Sequence, residues 1–363
     1  MNRLVVDLLA IDGRVTSGYQ EYILYLLGYL YRNRNGLLYD RVLLLCRDSA
    51  SGLFSGFRDK FEVKSYSCWS IVKRFWLESM ILFRWHLNRE DLLLSPGNYS
   101  GWFKLCPEIL AIHDLLYKRR EWMPRILVRM QRGLFISRSI HKAEKVVAIS
   151  HATRADIERF YPTANGKVLV INNPMNFDRF DGADGACLEW EYFLAVSANY
   201  IHKNQITILR AFQHYIRGGG ERHLVMIGEK MRKSEAVEYY SKLPSSVKDM
   251  IVWKENISNA ELGLLYRRAS CFISASLFEG MGMPVVEAMS LGAPVLLSDI
   301  PVHREMSLGL GEYFDPYDYK DLASRMKGID PRRRDYGPKI REAFSEQNTS
   351  AKYMALINSF AKS

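Results

Sequence analysis

The sequence predicts an α/β protein of two parallel-sheet domains, and three observations predict it. Short apolar, β-branched runs alternate with helix-period segments along the chain, the pattern of parallel sheets with helices on both faces. At 363 residues the chain is longer than one typical core supports. From Asn173-Pro174 to Gly185 the alternation breaks into a loop rich in Asp, Gly and Ala, and a second series follows. The expected domains are 1–183 and 184–345, with a C-terminal helix, 346–363, packing back on the first.

The first series opens with the strand Leu4–Ile11 and the helix Gln20–Tyr31, joined by a loop ending at Gly18. A glycine there lets a ligand approach the backbone, or simply makes a turn. Arg41–Cys46, Asp91–Ser95 and Glu108–Asp114 read as buried strands, the last placing His113 at its carboxyl end. Open parallel sheets bind ligands at that end, so His113 is a candidate site residue as well as a candidate structural one. Lys145–Ser150 and Lys167–Ile171 complete the series, with a helix between them from about Ala152.

The second series begins with the strand Tyr192–Ser197, a loop, and a helix over Asn204–Arg217 with Ile206, Ile208, Leu209 and Phe212 inward. Lys203, where loop meets helix, is placed to hold a diphosphate or to be an ordinary surface lysine. Strands His223–Ile227 and Met250–Trp253 follow, and Ser258-Asn-Ala-Glu261 forms a capping box before the helix Leu262–Arg268. Ala269–Ala275 and Pro294–Ser298 are further strands; beyond Asp315-Pro316 the chain is helical, ending in Ser345–Phe360.

Composition narrows the function classes. With 48% hydrophobic and 25% charged residues the chain is globular, and no apolar run has the length of a membrane span. The opening residues enter a strand without an apolar signal core, and the five cysteines lack any Cys-x-x-Cys; a reduced, cytoplasmic compartment and no structural zinc are expected. The net charge of +10 is confined to residues 1–180, with 27 Lys+Arg against 17 Asp+Glu; residues 181–363 hold 23 of each. Within the basic half, Lys118–Lys142 has eight cations and one acid among apolar and aromatic residues, and Lys73–His86 has a similar flavour. Such segments suit an anionic membrane surface, or form a solvated helix face. No nucleic-acid-reading motif accompanies them.

The stretch Ser276-Leu-Phe-Glu-Gly-Met-Gly-Met-Pro-Val-Val-Glu-Ala-Met289 carries the most chemistry. A strand leads into a glycine turn, and Pro284 stands where a helix tolerates it best. No Ser, Thr, Asp or Asn precedes Pro284 to cap the helix, so its first amides suit an external phosphate. An ordinary βα loop is the competing reading.

Several pieces occur together: Phe193-Leu-Ala-Val-Ser with Lys203-Asn204, Ile227-Gly228, Ser258-x-x-Glu261-Leu262, the Glu279-x7-Glu287 motif around Gly280-Met-Gly-Met-Pro284, and Gly292-Ala-Pro-Val295. In this order they resemble the retaining glycosyltransferases of family 4. The resemblance implies the GT-B fold, two Rossmann-like domains facing a central cleft. It implies catalytic roles for His113 and Glu279. Donor contacts would come from Gly18, Lys203, Gly282, Met283, Pro284, Val285 and Glu287, with Glu279 against the sugar, Glu287 on the ribose and the rest around the diphosphate. The loop Ser17-Gly-Tyr-Gln-Glu21 resembles a variant found in mannosyl- and rhamnosyltransferases of O-antigen synthesis, with Glu21 in place of a basic residue. The usual Arg before the phosphate Lys is missing; Val196-Ser-Ala-Asn-Tyr200 occupies that region.

The resulting expectation is metal-independent, retaining transfer of a hexose from a nucleotide sugar, GDP-linked, to a lipid-linked saccharide. No cofactor or metal is expected, since no Asp-x-Asp occurs, and the enzyme would sit peripherally at the inner face of the cell membrane. A sugar-nucleotide epimerase, a phosphorylase and a catalytically silent GT-B scaffold are the alternatives.

Overall fold

A computed structural model describes residues 2–13, 18–68, 71–84, 87, 89–123, 125–181, 188–198, 200–229 and 234–361, giving only the backbone for 71, 72, 75 and 81–84. The chain divides into two compact units. Unit 1 comprises Met1–Met175 and Phe344–Ser363, and unit 2 comprises Asn176–Ala343. The divisions fall at 175/176 and 343/344, not at 183/184 and 345/346; the first expected boundary lies outside the described residues. The shift has a local cause: Met175 bridges to Ser345 and donates to Phe344 O at 3.1 Å, within unit 1.

Unit 1 contains, in order, β1 (Arg3–Asp7), α1 (Gly18–Arg32), β2 (Arg41–Arg47), β3 (Glu62–Tyr66), α2 (Ile71–Arg84), β4 (Leu92–Ser95), β5 (Glu108–Ile112), α3 (Ile126–Lys142), β6 (Lys145–Ala148), α4 (His151–Phe160) and β7 (Val168–Val170). The sheet order is β3-β2-β1-β4-β5-β6-β7, all neighbours parallel. β1, β4 and β5 are almost wholly buried, as near-continuous apolar strands between two helical layers must be. β3, Glu-Val-Lys-Ser-Tyr, escapes the sequence reading because it is a half-exposed, polar edge strand with no apolar run.

Unit 2 contains β8 (Tyr192–Val196), α5 (Gln205–Arg217), β9 (His223–Ile227), α6 (Glu235–Ser241), α7 (Ser245–Lys248), β10 (Ile251–Lys254), α8 (Asn259–Arg268), β11 (Cys271–Ser274), α9 (Met283–Ser290), β12 (Val295–Ser298), α10 (Pro301–Met306), β13 (Glu312–Phe314), α11 (Tyr319–Gly328) and α12 (Gly337–Phe344) up to its last residue, Phe344, which belongs to unit 1. Its parallel sheet runs β10-β9-β8-β11-β12-β13. The three-residue β13 is too short to show a period. Ser258 caps α8 by accepting from the Glu261 amide at 3.1 Å, while the Glu261 side chain pairs with Lys254 at 2.8 Å instead of closing the box. Gly228 ends β9 at φ +135, where a Cβ would stand 2.2 Å from Ser197 O, so only glycine lets the ends of β8 and β9 approach this closely.

The last helix, α13 (Glu346–Asn358), packs on α1 in unit 1. Tyr22 donates to Tyr353 at 2.8 Å between two fully buried rings, and Asn358 bonds Gly36 O and the Leu38 amide. Tyr353→Phe leaves the Tyr22 hydroxyl buried without its acceptor, a loss of about 1–3 kcal/mol. Urea unfolding should show a lower midpoint at unchanged slope.

Candidate functional site

In unit 2 the glycine turn sets the geometry. Gly282 is the N-cap of α9 at φ +74, and it has no side chain to bond the helix amides. A Cβ there would make only ordinary contacts, with His303 Cδ2 at 3.7 Å and Glu279 Cγ at 3.8 Å; the glycine requirement is conformational. Val285 N–H is taken by Gly282 O at 3.0 Å, and Pro284 has no N–H. The donors of Gly282 and Met283 have no acceptor among the described residues. Of the predicted Gly282–Val285 set, the open amides are therefore the first two. Pro284 and Val285 shape the turn, with Val285 buried in the core.

Lys203 and Glu279 meet. The ammonium lies 2.6 Å from Glu279 Oε1, and Ser276 Oγ donates to the same oxygen at 2.8 Å. Glu279 Oε2 has no partner among the described residues. Burial pushes this carboxyl up, but the Lys203 charge and hydrogen bond, His303 and Ser276 together outweigh it, holding Glu279 below its usual range. The pair is pre-positioned by backbone: Leu277 N–H donates to His202 O at 2.7 Å, tying the Lys203 turn to the loop that carries Glu279. Asn204 occupies the left-handed region at φ 52 and anchors to Pro316 O at 2.9 Å.

His303 is the residue the sequence reading missed. Fully buried in α10, it lies under the glycine turn. Nδ1 is 3.0 Å from Ser298 O; a carbonyl only accepts, so Nδ1 carries the hydrogen, and Nε2 is left to accept from Ser274 Oγ at 3.3 Å. Burial lowers its pKa, against weaker opposing effects of the Glu279 charge and the Ser298 bond. One imidazole thus ties the ends of β11 and β12 together beneath Gly282. No signal marks it in sequence, because its partners lie in two other elements.

Glu287, buried on α9, accepts from Tyr266 Oη at 2.8 Å and pairs with Arg179 at 2.5 Å. These two donors, distant in sequence, fix its carboxylate plane.

In unit 1, His113 follows β5 and is partly buried, in edge-to-face contact with the Tyr19 and Tyr22 rings at centroid distances of 5.0 and 5.1 Å. Its Nε2 donates to Pro96 O at 2.8 Å, so Nδ1 carries the bare lone pair. Burial lowers its pKa, against weaker opposing effects of the Pro96 bond and Asp114. Gly18 is the exposed first residue of α1, and the loop residues 14–17 before it lie outside the described residues. His113 borders a cavity of about 340 Å³ whose walls include Tyr19, Tyr99, Arg74, Arg132 and Phe135. Arg74 is held there by Glu78, donates to Tyr99 O at 3.1 Å, and lies over the Tyr99 ring at 4.2 Å. The Arg74–Glu78 i,i+4 spacing was a readable signal; their burial was not.

Residues 186–343 match the family of glycosyl transferases group 1. Unit 2 is a group 1 glycosyltransferase domain. The chain is 25% identical over 225 residues to the O-antigen chain mannosyltransferase RfbU of Salmonella typhimurium, covering 61% of each chain. It is 25% identical over 240 residues to the serotype-specific mannosyltransferase WbdA of Escherichia coli, 60% of this chain and 29% of that one. A GDP-mannose:cellobiosyl-diphosphopolyprenol α-mannosyltransferase of Xanthomonas campestris shares 27% over 149 residues, 41% and 39% of the two chains. The alignments thus span less than two thirds of these relatives. Among solved structures, sucrose-phosphate synthase of Thermosynechococcus elongatus superposes with TM-score 0.76 at 16% identity over 99% of both chains. Anabaena HepE, solved with UDP, gives 0.70 at 13% identity over 99% and 100%. These likenesses show the fold of the group 1 domain's chain: GT-B, two parallel-sheet α/β units.

Proposed function

We propose that this chain is a retaining, metal-independent glycosyltransferase that moves mannose from GDP-mannose to a lipid-linked saccharide in cell-surface polysaccharide synthesis. The observation that carries the reading is the ionised Glu279, with Oε2 open, beside Lys203 and two unpartnered amides. That arrangement suits a sugar diphosphate: cation and amides meet the phosphate charge, and the carboxylate meets the positive charge that develops on the sugar as the bond breaks. Ribose hydroxyls would join or replace Tyr266 and Arg179 as donors to Glu287. His113 offers Nδ1 to a sugar hydroxyl, and the unit 1 cavity, aromatic and cationic, takes the acceptor. Departure and attack on one face of the sugar, within a short-lived ion pair, accounts for retention.

Mannose, GDP and the lipid-linked acceptor follow the relatives' names, and rhamnose is the nearest alternative sugar. The enzyme would work peripherally at the cytoplasmic face of the cell membrane; among the described residues no helix is long and apolar enough to cross one.

GDP is expected to raise the melting temperature, with a stabilisation of about 2.7 kcal/mol at a hundredfold excess over its Kd, while UDP and ADP give little. Mannose transfer is expected to survive EDTA. A larger shift with UDP would reassign the donor. Activity lost to EDTA and restored by Mg²⁺ or Mn²⁺ would remove metal independence.

A further inference from the structure

Ile126, Leu127, Met130 and Leu134 are 59%, 78%, 66% and 56% exposed. On α3 these positions fall within an arc of about 100°. A run of four large apolar side chains left open on one helix is unusual for a surface that faces only water. The opposite side of the same helix is occupied: Ile136 and Ile140 are buried in the core of unit 1, and Arg132 and Phe135 line its cavity. Cations flank the stripe. Two of them, Arg120 and Arg125, are exposed at its amino-terminal end, whereas Arg119 and Lys142 of the same segment are taken up by Asp156 and Glu108.

We propose that this outer face of α3 docks on an anionic lipid bilayer. Charge complementarity selects that occupant. An apolar strip flanked by guanidinium groups is what an interfacial helix presents, with its apolar side chains in the acyl boundary and its cations among anionic headgroups. A second copy of the chain would bring the same cations face to face. The geometry also explains the position of the cavity: one face of α3 rests on lipid and the other walls the pocket, so an acceptor anchored in the bilayer has one helix to cross. The proposal rests on the lipid-linked acceptor reading and locates where that acceptor is met.

The test uses the full chain and vesicles of phosphatidylcholine with or without phosphatidylglycerol, read by co-sedimentation. Binding is expected to the anionic vesicles and to fall with added salt. Leu127→Asp with Met130→Asp, and separately Arg120→Glu with Arg125→Glu, should each weaken it at least tenfold. Because all four side chains are exposed, thermal unfolding and the GDP-induced shift should stay as in the wild type. Equal vesicle binding by the variants, or none by the wild type, overturns the proposal. So does a dimer that the apolar pair of substitutions converts to monomer without changing vesicle binding, which would assign the face to a second copy. Loss of the GDP shift in the wild type would instead strike the donor reading, leaving vesicle binding as an independent result.

Discussion

Glu279→Gln is expected to lower turnover by about 10³-fold or more while nucleoside diphosphate affinity stays within about fivefold of wild type. The substitution keeps the shape of the side chain and removes its charge. In the wild type that charge is secured, because Lys203 and Ser276 both address Oε1 and hold the carboxyl below its usual range despite burial. Oε2 is then the atom that the proposed function gives to the sugar. An interaction made mainly as charge develops lowers kcat when removed and leaves ground-state affinity nearly intact. Affinity for GDP should even rise slightly, since Lys203, relieved of its carboxylate, gives its whole charge to the diphosphate. Rapid-quench turnover together with calorimetric titration of GDP would measure both quantities. A variant that turns over at the wild-type rate would end the assignment of Glu279.

What the sequence revealed depended on whether the relevant partners were near in the chain. The strand-turn-helix around Gly282, the cap at Ser258 and the position of His113 at the end of β5 could all be read, because each is a local pattern of period, glycine or proline. The uncapped helix was visible too. Its available amides were fewer than expected, since whether Val285 N–H turns back to Gly282 O depends on a backbone angle that sequence does not state. His303, Tyr266 and Arg179 were invisible for a different reason. Each acts through a contact made only when separate elements are packed together, and none carries a pattern of its own. The stripe on α3 lies between these cases. Its composition suggested a membrane surface, but only packing shows that Ile136 and Ile140 turn inward while Leu127 and Met130 stay out.

Lys203→Met tests the pair from the other side, and its sign with pH separates an electrostatic role from a packing one. Methionine preserves most of the stem and removes the ammonium. Glu279 then loses the charge and hydrogen bond that oppose burial, so its pKa moves upward. In the wild type the folded-state value is depressed; the associated stability is present above the unfolded carboxyl pKa and is lost as pH falls through the folded one. In the variant the sign reverses. Glu279 costs stability at neutral pH, and the cost is relieved on acidification. The deficit against wild type should therefore be greatest near neutrality, roughly 3 kcal/mol for a buried pair broken on one side, and should shrink as pH falls. Activity follows the same logic. If transfer needs the ionised carboxylate, as proposed, the acid limb attributable to Glu279 should lie at higher pH in the variant, with kcat/KM reduced about 10²- to 10³-fold even on its plateau. A Lys203→Met, Glu279→Gln double variant should be no worse than the poorer single variant, because the two residues act as a unit. Profiles with the same acid limb in wild type and Lys203→Met, or strictly additive losses in the double variant, would mean that the 2.6 Å contact between these side chains does not govern the chemistry.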